Sequence, residues 1–257
     1  MKKKGQVTIF IIIGLILITA ITLFFVLSKQ TVTKTTQKSE ENPETFFESC
    51  LQDKVKNAVK IISLRGGYPN NNLSINFKFE NESYINISYL CYNQNNYLPC
   101  INQKPMFMQD LKQEIKNYIS SNVKECFDKI TKNFNKKGYK MNVDYNGFEV
   151  ELLPKRIIVQ TDSKISLTKS DETTKQENFK ISFSSKLYEI ASVVQELVNQ
   201  EARFCYSENL GIMLIYPEFN IDKLRTGDST IIYTVEHKDS KEKFRFAVRG
   251  CVIPPGI

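Results

Sequence analysis

The chain begins with one long apolar stretch, residues 7–27, that contains no charged side chain. At a rise of 1.5 Å per residue, a helix of about 21 residues spans roughly 30 Å, the thickness of a bilayer's hydrocarbon core. The stretch therefore predicts a transmembrane helix. A cleaved secretory signal is the alternative, but the run is long for one and no pair of small residues follows it. Lys2, Lys3 and Lys4 come first, so the positive-inside rule predicts a cytoplasmic N-terminus at residues 1–6 and an extracellular C-terminal domain at the cell membrane.

After this stretch the pattern changes to a polar linker and then to alternating helical and strand periodicities. Residues 28–41 are polar and without apolar periodicity, as in a linker. Residues 42–138 predict a helix, a hairpin and a second helix, and residues 139–257 predict a β-rich half with a further helix. The predicted fold class is α+β, with a disulfide-braced ectodomain of antiparallel sheets and about three amphipathic helices. Asn146-Gly147 predicts a tight hairpin turn in the second half.

A helix that carries a cysteine and ends in Gly-Tyr occurs in the first half and recurs at the junction of the two halves. Cys50 precedes Gly67-Tyr68, and Cys126 precedes Gly138-Tyr139. A duplicated helix-then-sheet unit would explain this echo and would make the two halves related. The distance between cysteine and glycine differs between the two, so coincidence stays open as the alternative.

The chain has six cysteines, an even number, in a domain predicted to be exported. It has no Cys-x-x-Cys and only one histidine, so the usual zinc spacings are missing and a disulfide framework is favoured. Cys91 and Cys100 bracket a short polar loop and predict a local disulfide. Cys205 with Cys251 and Cys50 with Cys126 are then the remaining pairs, although six cysteines allow other connectivities.

A basic residue and a glycine directly precede the apolar stretch, as Lys4-Gly5-Gln6. This start resembles the class III signal of archaeal type IV pilin-like proteins, which a prepilin peptidase cuts just before the apolar segment. The resemblance implies a cut after Gly5 that leaves Gln6 as the mature N-terminus. Many bacterial pilins have a glutamate at the fifth mature position, where this chain has Phe10. The overall layout also resembles uncharacterised membrane-anchored proteins of small-genome archaea.

Charge and motifs argue against nucleic-acid binding and catalysis. The formal net charge is +7, and the cations outside the N-terminus are scattered rather than clustered. No Gly-x-Ser-x-Gly, phosphate-loop or His-Glu-x-x-His motif occurs, and His237 lies before a predicted turn. A carboxylate hydrolase would have to use acid pairs such as Glu149 with Glu151, for which solvated surface is the ordinary explanation. We therefore predict no enzyme, no metal site and no cofactor.

Two groups of residues are candidates for contacts at the outer surface. Asn72, Asn81 and Asn86 each begin an Asn-x-Ser sequon and are candidates for glycosylation. Tyr89, Tyr92 and Tyr97 lie near the predicted local disulfide and are candidates for ligand contact.

The predicted function is a single-pass membrane-anchored extracellular binding or envelope-assembly protein. Its predicted partners are the lipid membrane and other envelope proteins or glycans, with oligomerisation left open. The alternative is a pilin-like subunit that is processed before Gln6 and assembled into a surface filament.

Overall fold

A computed structural model of the chain describes residues 13–19, 21–22 and 42–253. Contacts divide the chain into two compact units, Met1–Asn42 and Pro43–Ile257. In the first unit the described residues, 13–19 and 21–22, are helical. The linker predicted over 28–41 and the basic segment 1–6 lie outside the described residues.

The structure corrects the prediction of a transmembrane helix over 7–27. In the described part of the chain, no helix is both long enough and apolar enough to cross a bilayer. Residues 13–19 are helical within that range. The rest of the range, apart from 21–22, lies outside the described residues.

The second unit has the α+β composition that the periodicities predict. Its helices are α1 (Pro43–Leu64), α2 (Phe107–Lys136), α3 (Leu187–Phe204) and the short α4 (Asn209–Ile215). Its strands are β1 (Ser74–Phe77), β2 (Ile85–Tyr92), β3 (Ile101–Asn102), β4 (Lys140–Leu153), β5 (Arg156–Lys169), β6 (Glu172–Glu177), β7 (Lys180–Ser184), β8 (Phe219–Arg225), β9 (Ile231–His237) and β10 (Lys243–Arg249).

The ends of the first helix follow from its local sequence. Pro43 is the first residue of α1, where its missing N–H costs no hydrogen bond, and Glu44 lies in the first turn. Gly66 and Gly67 follow the helix with φ angles of 75° and 87°, which an L-residue with a Cβ adopts only with strain. The Gly67 N–H donates to the Ile62 carbonyl at 2.9 Å and closes the last turn.

The larger sheet has the strand order β1-β2-β10-β9-β8, with β3 on β2. β2 and β10 run parallel, whereas the other pairs in this sheet are antiparallel. The prediction of purely antiparallel sheets is therefore wrong for this pair. Because β2 comes from the first predicted half and β10 from the second, one sheet joins both halves. A long connection through helices brings the chain back beside β2 in the same direction.

The smaller sheet is built around β5. β4 pairs with β5 along almost its whole length, and both β6 and β7 pair with it as well. β4 occupies one side of β5, and the other side is therefore shared by β6 and β7. Asn146-Gly147 does not form the predicted hairpin turn but a bulge inside β4, and the turn to β5 comes after Leu153.

The principal core lies between the helices and the two sheets, and the apolar stripes of α1, α2 and α3 face it. A smaller cluster, centred on Ile87, Tyr89, Ile232 and Ala247, lies apart from it. Along β9 and β10, alternate side chains belong to the two clusters, as the pleat requires.

Three disulfides brace the unit. They join Cys50 to Cys126, Cys91 to Cys100 and Cys205 to Cys251. These are the same pairs that the sequence analysis set out. The first joins α1 to α2, the second closes the loop after β2, and the third joins the end of α3 to the segment after β10.

Candidate functional site

A cleft of about 960 Å³ lies between α1, β7 and the hairpin of β9 and β10. We call it the β7–β10 cleft. Its floor is apolar, formed by the buried side chains of Val55 and Val59 from α1, Ile157 from β5 and Phe183 from β7. Its walls carry serine hydroxyls and charged side chains. An apolar floor with a few polar groups around it is typical of ligand-binding sites.

Arg245 of β10 is the most deeply placed charge in the cleft, with only 4% of its surface exposed. Its Nη1 and Nη2 donate to the two carboxylate oxygens of Glu82 at 2.6 and 2.8 Å. The guanidinium also lies 3.8 Å from the ring centroid of Phe79. Its Nε is buried and has no hydrogen-bond partner in the described part of the chain. Hydrogen bonds from Arg245 lower the pKa of Glu82, so this carboxylate stays ionised at neutral pH.

Glu242 links the end of β7 to the start of β10, the two strands that border the cleft. Its carboxylate accepts hydrogen bonds from the Ser185 hydroxyl at 2.7 Å and from the Lys186 N–H at 2.9 Å. Ser185 directly follows β7, and Glu242 directly precedes β10. The Lys186 N–H lies at the start of α3, where a carboxylate satisfies an otherwise unpaired donor. Glu242 therefore has a structural role.

Cations predominate on the walls of the cleft. Five cationic side chains and three carboxylates line it, an excess of two cations. Lys241 and Lys243 lie 3.5 and 3.0 Å from the Glu236 carboxylate. Lys56 and Lys60 are exposed on α1 and form no salt bridge within the described residues. The cleft therefore presents positive charge to a ligand.

Strand β7 pairs with β5 along one edge, and the backbone groups of its other edge face away from the smaller sheet. The Phe179 carbonyl accepts from the Thr161 N–H at 2.9 Å, and the Ser185 N–H donates to the Lys155 carbonyl at 3.2 Å. In an antiparallel pair the backbone groups of alternate residues face the partner strand. The groups of Lys180, Ser182 and Ser184 therefore face away from β5, and Ser182 and Ser184 line the cleft.

Strand β10 is also incompletely paired where it borders the cleft. It pairs with β9 from Lys243 onward, but its pairing with β2 begins only at Ala247. Lys243 and Arg245, which line the cleft, precede that point. The cleft thus lies between parts of two sheets that each lack a neighbouring strand on one side.

The three tyrosines predicted to contact a ligand do not form one exposed row. Tyr89 is buried, and its hydroxyl lies 3.0 Å from the Thr230 hydroxyl. Tyr92 packs edge-to-face on Tyr89, with ring centroids 4.9 Å apart, and only Tyr97 is largely exposed. None of the three lines the β7–β10 cleft.

The predicted glycosylation sites and the predicted processing site both stay predictions. Asn72, Asn81 and Asn86 all have exposed side chains, and their glycosylation stays a prediction. Gly5 and Gln6 lie outside the described residues, so processing before Gln6 also stays a prediction.

His237 and Glu149, which the sequence analysis considered as candidates for catalysis, both contact other side chains of the protein. His237 is buried, packs against Phe219 with ring centroids 5.6 Å apart, and accepts a hydrogen bond from the Ser240 N–H. Glu149 is exposed and lies 2.8 Å from the Lys116 ammonium. In residues 13–19, 21–22 and 42–253, no cluster of three or more histidine, cysteine, aspartate or glutamate residues could hold a metal ion.

A buried carboxylate, missed by the sequence analysis, joins α3 to the larger sheet. Glu201 is 3% exposed and accepts hydrogen bonds from the Tyr233 hydroxyl and from the Lys223 ammonium, the latter at 3.1 Å. The Ser207 hydroxyl lies 2.6 Å from that of Tyr233. Burial, followed by the charge of Glu201, raises the pKa of Tyr233. Because these groups satisfy one another, the cluster is a structural link.

The β7–β10 cleft is the candidate site that the sequence analysis did not find. Its lining comes from α1, from residues 82–83, from β5 and β7, and from residues 240–245, so it combines distant parts of the chain. Only the cationic segment 240–245 and the serine-rich segment 182–185 could have pointed to it. Comparison with protein-family models, with curated proteins and with solved structures finds no match, so the functional argument rests on the geometry of this cleft.

Proposed function

We propose that residues 43–253 form a binding domain that works outside the cytoplasm, in the cell envelope, and that the β7–β10 cleft receives its ligand. Three disulfides support the compartment, because such bonds persist in oxidising surroundings. The single observation that carries the binding role is the cleft itself, which combines an apolar floor with cationic walls.

The partners of the charged groups favour binding over acid–base catalysis. Glu82 is ionised and held by Arg245, and Glu242 holds the start of α3. A general acid or base needs a carboxylate that is free to exchange its proton with a substrate. Two of the three carboxylates in the cleft are instead engaged by the protein's own donors.

The charge of the cleft indicates the chemistry of the ligand. An excess of cations, with Lys56 and Lys60 free of salt bridges in the described structure, suits a ligand that carries carboxylates or other anionic groups. Acidic segments of other envelope proteins and acidic glycans both have such groups. We therefore propose an anionic component of the cell envelope as the ligand.

Site-specific photo-cross-linking tests this function in the cells that produce the protein. A photoreactive amino acid at Lys56 should form a covalent adduct with the ligand, and the adduct should disappear when Lys60→Glu is added. The same amino acid at Lys132, which is exposed on α2 and is not part of the cleft, is the matched control. No adduct at Lys56, or equal labelling at both positions, would overturn the proposed site.

A further inference from the structure

We propose that the ligand enters the β7–β10 cleft as an extended, acidic polypeptide segment that pairs with the outer edge of β7 as an additional strand. This inference rests on the proposed function of the cleft and names the class of partner. Two observations carry it independently: the direction of the backbone groups of β7, and the position on α1 of Lys56 and Lys60, which form no salt bridge in the described structure.

The first observation is the edge of β7. The N–H and C=O groups of Lys180, Ser182 and Ser184 face away from β5, and no other strand of the described structure pairs with β7. An edge with such groups is a template for an added strand. A compact ligand would use only the side chains of the cleft and would leave this row of donors and acceptors to water.

The second observation is the spacing of Lys56 and Lys60. Lys56 and Lys60 are four residues apart on α1, which places their Cβ atoms about 6 Å apart on one face of the helix. Side chains on the same face of a strand recur every second residue, about 6.6 to 6.8 Å apart. An added strand that runs along α1, with acidic residues at alternate positions, can therefore place two successive carboxylates near the two ammonium groups.

The cleft also has the shape that such a strand needs. Val59 and Phe183 give it an apolar floor, which a bound segment would cover. Glu242 holds the end of β7 to the start of β10, so the two edges that border the cleft are fixed relative to each other. The protein thus binds the segment without first ordering its own strands, which lowers the entropic cost of binding.

A peptide-binding measurement on the full chain tests the proposal. The probe is a library of short, end-blocked peptides in which glutamate alternates with randomised residues, and the control library has lysine in place of glutamate. We expect the full chain to retain the glutamate library and not the lysine library. The Lys56→Glu, Lys60→Glu double variant, changed only at exposed positions, should bind the retained peptides at least about tenfold more weakly.

Hydrogen exchange shows whether the peptide pairs with β7. On binding, exchange of the Ser182 and Ser184 amides should slow at least about tenfold, because each outward N–H gains an acceptor. Thr173 and Lys175 of β6 are the internal control. Their amides also face away from β5 on an edge strand, but they do not line the cleft.

Each other outcome would overturn the proposal. Equal retention of both libraries, or of neither, would exclude recognition of an acidic segment. Binding that leaves the exchange of Ser182 and Ser184 unchanged would mean that the ligand contacts side chains only, as a glycan would. If the Lys56 cross-link still forms in that case, the cleft remains the binding site and only the strand proposal fails. If the cross-link is also absent, both proposals fail.

Discussion

The disulfide between Cys50 and Cys126 should contribute more to stability than the one between Cys91 and Cys100. The two pairs are separated by 76 and 9 residues. In the chain-entropy description, a cross-link lowers the entropy of the unfolded chain by about 2.1 + 1.5R ln n cal/mol/K. At 25 °C this gives about 4.5 kcal/mol for the first pair and about 2.6 kcal/mol for the second. The expected difference is therefore about 2 kcal/mol.

Urea unfolding of two paired variants measures this difference. Cys50→Ala with Cys126→Ala removes the long loop, and Cys91→Ala with Cys100→Ala is the matched control. Cys91, Cys100 and Cys126 are buried and Cys50 is partly buried, so the packing lost with the sulfur atoms largely cancels between the variants. The slope of free energy against urea should also rise more in the first variant, because its unfolded chain expands more.

An equal loss of free energy in both variants, or a greater loss in the control, would refute this reasoning. Native-state packing around the short loop would then outweigh the entropy of the unfolded chain, which is the competing account of how disulfides stabilise proteins.

Two further changes test the cleft and the end of α1. Glu82→Gln should lower the free energy of unfolding by about 1 kcal/mol at pH 7, a value reduced for the 43% exposure of the Glu82 side chain. Because Arg245 lowers the pKa of Glu82 below its ordinary value of 4.5, this contribution is present above that pH and is lost as the pH falls through the folded-state pKa. Urea unfolding of the wild type and the variant should therefore converge in acid, and a difference that is constant with pH would contradict the ion pair. Gly67→Ala should be at least about 1 kcal/mol more destabilising than Gly138→Ala in thermal unfolding. Both glycines have positive φ angles, but only at Gly67 would a Cβ meet a side-chain carbon, Leu111 Cδ2 at 2.9 Å, so equal losses would count against the steric argument.

The sequence by itself determined the elements whose cause is local. The apolar stripe of α2 predicts a helix with one buried face because helical periodicity depends only on nearby residues. Pro43 and Gly67 mark the start and the end of α1 for the same reason. The spacing of Cys91 and Cys100 favours a pair because a short loop brings its ends together at low entropic cost.

The tertiary structure alone decided the features that depend on distant parts of the chain. Asn146-Gly147 has the composition of a tight turn but lies within a strand, because the pairing of β4 with β5 continues past it as a bulge. The parallel pairing of β2 with β10 follows from a long crossover that local patterns do not encode.

The candidate site belongs to this second group. Lys56, Ser182 and Arg245 line one cleft although they come from three distant segments. Apart from the clustered cations near Arg245 and the serines near Ser182, their sequence context is that of an ordinary solvated surface. Only folding brings an unpaired strand edge, two lysines without a salt bridge in the described structure, and a buried arginine together. The site is therefore a property of how the two sheets pack around α1, and its chemistry becomes visible only once that packing is known.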